Sequence, residues 1–167
     1  MKSFMYPKPP WSSDVEIAGS LYAARAARTK AEAEGAYNRI LDAIGCNSDG
    51  SYFPVVLEVL PELNELIAEC TGWPQYCALG VMLDLVWSFE PVVEHRLFTH
   101  VGGSQATRLW DQVRAAVGAM RPAIERIANS NVEASSHAAQ LLDYGGGERA
   151  PRRTRDAEGP SLQFDQG

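Results

Sequence analysis

The chain has 167 residues, 46% of them apolar and 22% charged, with a formal net charge of −6. This size and composition fit one globular domain with a substantial core. The acidic balance repels phosphate backbones, which argues against nucleic acid as the main ligand. The sequence has no apolar run of about 18 residues to span a membrane and no apolar signal segment near its start. We therefore expect a cytoplasmic protein without a membrane partner.

Three cysteines, Cys46, Cys70 and Cys77, form no closely spaced pair and leave one over in any disulfide scheme. Reduced and mostly buried thiols are therefore expected. The sequence contains no phosphate-binding P-loop, no G-x-S-x-G nucleophile motif and no H-E-x-x-H zinc motif. We predict that the protein is not an enzyme and needs no cofactor.

The N-terminal third predicts an extended arm followed by two helices. Residues 1–12 contain three prolines, which exclude a helix. Ser13 with Glu16, and Thr29 with Glu32, then have the spacing of the capping box, in which a hydroxyl and a carboxylate satisfy the first amides of a helix. Each capping box predicts that a helix begins at that point.

Residues 51–91 predict two further helices, separated by a break at residues 71–74. The first helix is expected to start near Ser51 and has apolar residues at spacings of three and four. In the second, nearly every residue from 77 to 89 is apolar and Asp84 is the only charge. A helix that is apolar on all sides must be covered on several of them, so we place this helix at the centre of the protein. The apolar face of the first helix consists of Val56, Leu60, Leu63, Ile67 and Cys70.

The C-terminal part predicts an excursion, two helices and a tail. Residues 89–103 show no period and are interpreted as an excursion between helices. A long helix is expected over residues 106–127, with Pro122 as an internal kink. A third capping box at residues 130–133 predicts the start of a sixth helix. Residues 148–167 combine arginines with acidic residues and are expected to form a flexible tail.

Six predicted helices with no convincing strand indicate an all-α fold of three antiparallel helix pairs. A triplet of two apolar residues and Asp recurs at residues 40–42, 82–84 and 141–143, late in the second helix of each pair. The separations of 42 and 59 residues fit a two-helix repeat if the excursion is an insertion. The alternative is chance, because such a triplet is common in helices.

The runs YFPVVLEVLPELNELI and WPQYCALGVMLDLVWSFEP resemble the small bacterial HEAT-like repeat proteins. Their shared features are prolines early and midway in a first helix, and an apolar second helix that ends near Phe-Glu-Pro. The resemblance covers residues 37–91 and implies a short α-solenoid over residues 13–147, with binding rather than catalysis as its role. Some such proteins are encoded beside polymorphic toxins and resemble immunity proteins. The excursion and a weak sixth helix depart from a regular solenoid.

Four glutamates form the clearest surface pattern. They recur at spacings of four, three and four, which places them in one line on the third predicted helix, opposite its apolar face. One interpretation is a docking edge for a basic protein. The alternatives are a plain solvated face, or pairing with cations from a neighbouring helix. The four residues of this glutamate row are Glu58, Glu62, Glu65 and Glu69.

The excursion holds histidines and acids that invite a metal interpretation. His95 and His100, however, are five residues apart with no predicted helix to align them, so we predict no metal site. A contact loop held by rigid helices is one alternative, and a loop that packs back onto the domain through its apolar residues is another. The predicted contacts of this loop are Glu90, Glu94, His95 and Arg96, with Leu97 and Phe98 beside them at its tip.

Asp84 and Trp87 complete the set of predicted partner contacts. They either line a concave groove, or Asp84 accepts hydrogen bonds from a neighbouring helix end, which the related Asp42 and Asp143 favour. The leading hypothesis is a non-catalytic, immunity-type inhibitor that binds a basic toxin or effector domain. The alternatives are a general interaction scaffold and a helical-repeat DNA glycosylase that uses Asp84 and Trp87.

Overall fold

A computed structural model describes residues 3–100, 103–130 and 132–144. Within these residues the chain is mostly helical, which confirms the predicted all-α class. The predicted tail at residues 148–167 lies outside the described residues. The seven helices are α1 (Asp14–Ala26), α2 (Lys30–Ile44), α3 (Val56–Glu69), α4 (Trp73–Trp87), α5 (Leu109–Ala119), α6 (Arg121–Ala128) and α7 (Ser135–Tyr144).

Both N-terminal capping boxes are present. The Ser13 hydroxyl accepts from the Glu16 amide, and the Glu16 carboxylate accepts from the Ser13 amide at 2.8 Å. Thr29 and Glu32 form the same reciprocal pair at the start of α2. Because the amides of a first helical turn have no acceptor inside the helix, these pairs fix where α1 and α2 begin.

The predicted central helix lies at the centre of the protein. Helix α4 contacts α1, α2, α3, α5 and α7. Its Cys77, Leu79, Met82 and Leu85 side chains are fully buried. Further contacts join α1 to α2 and α6 to α7. In the described part of the chain, no helix is long and apolar enough to cross a membrane.

The expectation of no strand was wrong, because the described residues include five two-residue strands in two small sheets. One sheet pairs β1 antiparallel to β2, and β2 parallel to β3; the other pairs β4 antiparallel to β5. Strands this short contain too few residues to show an alternating pattern in the sequence. The strands are β1 (Gly45–Cys46), β2 (Ser51–Tyr52), β3 (Glu90–Pro91), β4 (Leu97–Phe98) and β5 (Thr107–Arg108).

The third helix begins at Val56 rather than near Ser51. Ser51 belongs to β2, and the next residue outside that strand, Phe53, donates its amide to the Ile44 carbonyl at 2.8 Å. The chain is therefore extended along the end of α2 before it can turn into α3. Helix α3 then continues through Pro61, which lies on its exposed side.

The predicted helix over residues 106–127 is two helices, α5 and α6, that meet at Met120. Pro122 lies in the first turn of α6, where a residue without an amide hydrogen leaves no acceptor unsatisfied. The third predicted capping box was also wrong, because α7 begins at Ser135. The Ser130 hydroxyl instead donates to the Ile127 carbonyl at 2.6 Å and belongs to the end of α6.

Candidate protein-binding surfaces

The predicted contact residues occupy two regions of the structure. The glutamate row lies along α3, and the other predicted contacts lie at the end of α4 and in the segment that follows. Glu58 is half-buried, and its carboxylate accepts from the amides of Met5 and Tyr6 at 3.1 and 2.8 Å. This first glutamate therefore holds the N-terminal arm against α3.

Glu65 and Glu69 both pair with Arg25 on α1, at 3.4 and 3.0 Å between nitrogen and oxygen. The hydrogen bond to Glu69 raises the pKa of Arg25 above its ordinary value. Glu62 is half-buried and also interacts within the chain. The structure thus contains the pairing with a neighbouring helix that was one interpretation of the glutamate row.

Asp84 is half-buried and accepts a hydrogen bond from the Tyr37 hydroxyl on α2. Burial raises the pKa of Tyr37 well above its ordinary range, and the Asp84 carboxylate adds to the effect. The bond comes from the middle of α2 rather than from a helix end. Trp87, one turn further along α4, is 44% exposed.

A ring cluster that no sequence pattern predicts surrounds Gly80 on α4. The Tyr76 and His137 rings lie 4.3 Å apart between centroids, and His137 Nδ1 donates to the Tyr76 carbonyl at 3.2 Å. A side chain at Gly80 would contact both His137 and Tyr37. The glycine therefore lets rings from α2 and α7 approach the backbone of α4, and its place in an apolar helix was the available signal.

The segment between α4 and α5 exposes large apolar side chains. Val93 is 68% exposed and Leu97 is 64% exposed. Together with Trp87 they give three exposed large apolar side chains within residues 87–97. Exposed apolar residues that form a contiguous patch are typical of interaction sites, which makes this stretch a candidate.

The same segment is anchored to the domain from its other side. Phe98 makes an edge-on contact with Tyr6, with 4.9 Å between ring centroids, and His95 makes one with Phe53 at 5.7 Å. Tyr6 also forms a hydrogen bond with His100 Nδ1 at 2.9 Å. The segment therefore packs back through Phe98 and His95, whereas Leu97, which was also expected to pack, faces outward.

An open groove of about 370 Å³ lies beside Leu97. Its walls combine apolar and charged groups, and two of its residues, Arg108 and Trp110, were not among the predicted contacts. Their signal in the sequence was weak, because Arg108 belongs to a two-residue strand. The groove is lined by Glu90, Pro91, Arg96, Leu97, Arg108 and Trp110.

The described residues bear on two kinds of chemical site, a metal site and a reactive thiol. Among them, no group of three His, Cys, Asp or Glu side chains is placed to hold a metal ion. The three cysteines are free thiols. Burial raises the pKa of the Cys77 thiol to about 12, so the group stays protonated and unreactive near neutral pH.

Comparison of the chain with protein-family models, with curated proteins and with solved structures finds no match.

Proposed function

We propose that the protein is a non-catalytic binding module that recognises another protein through the segment between α4 and α5. The observation that carries this proposal is the exposure of Trp87, Val93 and Leu97 within one short stretch of chain, with Leu97 lining an open groove. Large apolar side chains supply most of the energy of protein interfaces when they are buried on binding. We call this region, including Arg96 and Glu90, the excursion surface.

The backbone under the excursion surface is held in place, which reduces the entropy lost on binding. Strand β4 pairs with β5. The side-chain amide of Gln112 donates to the Phe98 and Thr107 carbonyls at 3.0 and 3.3 Å. On the other side, Val92 donates its amide to the Tyr52 carbonyl at 3.0 Å. Exposed apolar residues on a fixed loop are typical of a preformed binding site.

The helix contacts support the finer proposal of a short α-solenoid. The first helices of the three pairs would be α1, α3 and the broken pair α5–α6, and the second helices α2, α4 and α7. Helix α4 contacts both α2 and α7, and α3 contacts α1, α5 and α6. Stacked helix pairs bury a shared core and present extended surfaces for binding.

The more specific proposal is an immunity-type inhibitor that neutralises a toxin or effector domain in the cytoplasm. The resemblance to HEAT-like repeat proteins and the net charge of −6 support it. An acidic inhibitor associates faster with a basic target, and added salt slows this association. Glu65 and Glu69 remain about half exposed beside Arg25 and would contribute to this field.

The test is co-purification with the product of the neighbouring gene, at low salt, with surface variants. Val93→Asp combined with Leu97→Asp places two charges in the proposed interface and should abolish the complex. Val15→Asp on α1 is the matched control, because Val15 is 58% exposed and lies outside the excursion surface. It should leave the complex intact. A complex that survives the double substitution would remove the excursion surface from the proposal.

A further inference from the structure

Two arginines of the groove have no anionic partner in the described part of the chain. Arg96 and Arg108 are exposed and form no ion pair there. Arg25 and Arg121, by contrast, are paired with glutamates. The groove is thus a local cationic site on a chain of net charge −6.

The short β4–β5 sheet fixes one of these arginines beside an exposed leucine. Leu97 and Arg108 are directly opposite each other in the antiparallel register. Opposite residues of a strand pair project from the same face, with their Cβ atoms about 5 Å apart. The Leu109 amide also donates to the Arg96 carbonyl at 2.9 Å. The backbones at Arg96 and Arg108 are therefore tied to one another across the sheet.

The groove also has an aromatic lining residue, Trp110, at the start of α5. The Arg114 guanidinium carbon is 4.5 Å from the centroid of its ring. Leu97, Pro91 and Trp110 are the apolar lining residues of the groove, and Arg96 and Arg108 supply positive charge beside them.

We infer that this groove binds an acidic protein segment in which carboxylates flank one large apolar side chain. The apolar side chain would be buried between Leu97 and Trp110, and the carboxylates would pair with Arg96 and Arg108. Guanidinium groups suit carboxylates because their donors match both oxygens. The inference rests on the proposed binding module and not on a basic charge of its whole target, since it names the kind of segment that the excursion surface recognises.

A nucleic acid is the competing anionic ligand, and the charge of the protein disfavours it. A polyanion meets the net repulsion of the whole chain, whereas a short peptide meets mainly the local charges.

The experiment is selection of random 12-residue peptides by the folded protein, followed by fluorescence anisotropy with the selected peptides. We expect selected sequences with Asp or Glu on both sides of a large apolar residue. Replacing Arg96→Glu and Arg108→Glu together should weaken their binding by about tenfold or more. Arg96→Gln with Arg108→Gln removes charge without repulsion and should give an intermediate loss.

The matched control carries the same change in net charge away from the groove. Arg39→Glu with Arg126→Glu replaces two exposed arginines on α2 and α6 and should change the affinity by less than about twofold. Circular dichroism spectra of all variants should match that of the unaltered protein. A fluorescent dodecamer of thymidine serves as the nucleic-acid probe and should bind no more tightly to the protein than to its double-glutamate variant.

Three results would overturn the inference. These are selected peptides that are neutral or basic, acidic peptides that bind the Arg96 and Arg108 variants equally well, and thymidine binding that depends on these arginines. Failure to select any peptide would also count against it. None of these results would affect a complex that Val93→Asp with Leu97→Asp disrupts, so the two proposals can fail separately.

Discussion

Tyr37 on α2 donates its phenolic hydrogen to the carboxylate of Asp84 on α4. The lone charge of the central helix is therefore satisfied by a neutral donor from the neighbouring helix rather than by a cation. A half-buried carboxylate needs such a donor, because burial without one costs free energy. The bond ties together two of the helices that meet at the centre of the protein.

Removing this donor should destabilise the fold. For Tyr37→Phe we expect a loss of about 1–2 kcal/mol in the free energy of unfolding, because Asp84 keeps its burial and loses its donor. Urea denaturation measures the change. Tyr22→Phe on α1 is the control, since Tyr22 is 75% exposed, and should change stability by less than about 0.5 kcal/mol. Equal losses in the two variants would contradict the assigned role of Tyr37.

The buried thiol of Cys77 should make the fold sensitive to alkaline pH. Its pKa is raised from 9.0 to about 12 in the folded protein, so the unfolded chain releases this proton at lower pH. The stabilising contribution is complete below pH 9 and decreases as pH rises towards 12. Between pH 8 and 10 the free energy of unfolding should fall by about 1.4 kcal/mol through the titration of this thiol. Cys77→Ala should lack this part of the decline when urea denaturation is repeated at both pH values.

A second truncation in α4 separates packing from titration. Val81 is also fully buried in α4. Val81→Ala should lower stability at pH 8 yet keep the alkaline decline of the unaltered protein, because it retains the thiol. If Cys77→Ala and Val81→Ala declined in parallel, Cys77 would not be the titrating group.

Two glycines should respond to alanine in opposite directions. Gly35 lies within α2, and a Cβ there meets no atom within 4 Å. Gly35→Ala should therefore raise the free energy of unfolding by about 0.5–1 kcal/mol through helix propensity. A Cβ at Gly45 would overlap the Ser51 carbonyl oxygen across the β1–β2 pair, so Gly45→Ala should cost about 1–3 kcal/mol. Thermal unfolding measures whether each variant is more or less stable than the unaltered protein. A stabilised Gly45→Ala variant would contradict the close approach of β1 and β2.

Glu58 should control the order of the N-terminal arm. Its carboxylate accepts from the Met5 and Tyr6 amides, so Glu58→Ala should speed hydrogen exchange at these two amides by about tenfold or more. The amide of Val55, which donates to the Pro7 carbonyl at 2.9 Å, should remain protected. Glu69→Ala, an exposed acid on the same helix, should leave the arm unchanged, and equal effects would refute the assignment.

The helices were predictable where the sequence carries local signals. The capping boxes at Ser13 and Thr29 fixed two helix starts, because the hydrogen bonds involved span only three residues. The apolar run in α4 indicated its central position, because a helix that is apolar on all sides must be covered by its neighbours. The sequence predicts a kink at Pro122 within one helix, whereas the structure has two helices. Periodicity alone does not distinguish a bent helix from two helices whose apolar faces stay aligned.

The candidate site depended on contacts that are distant in sequence. Glu58 accepts hydrogen bonds from backbone amides more than fifty residues away, and Glu65 pairs with Arg25 on another helix. Charge spacing along one helix cannot reveal such neighbours. The pairing of Leu97 with Arg108 could not be predicted for a related reason. Two-residue strands show no alternating pattern in the sequence, and ten residues separate the two partners along the chain.

The parallel pairing of β2 with β3 has a consequence for how the chain is built. Tyr52 and Pro91 are aligned in this pair, and neighbouring strands lie about 5 Å apart. The entrance and the exit of the hairpin made by α3 and α4 are therefore side by side. The two ends of this hairpin are thus held together by backbone pairing outside the helices, so the segment that contributes the central helix is closed at its base like a loop.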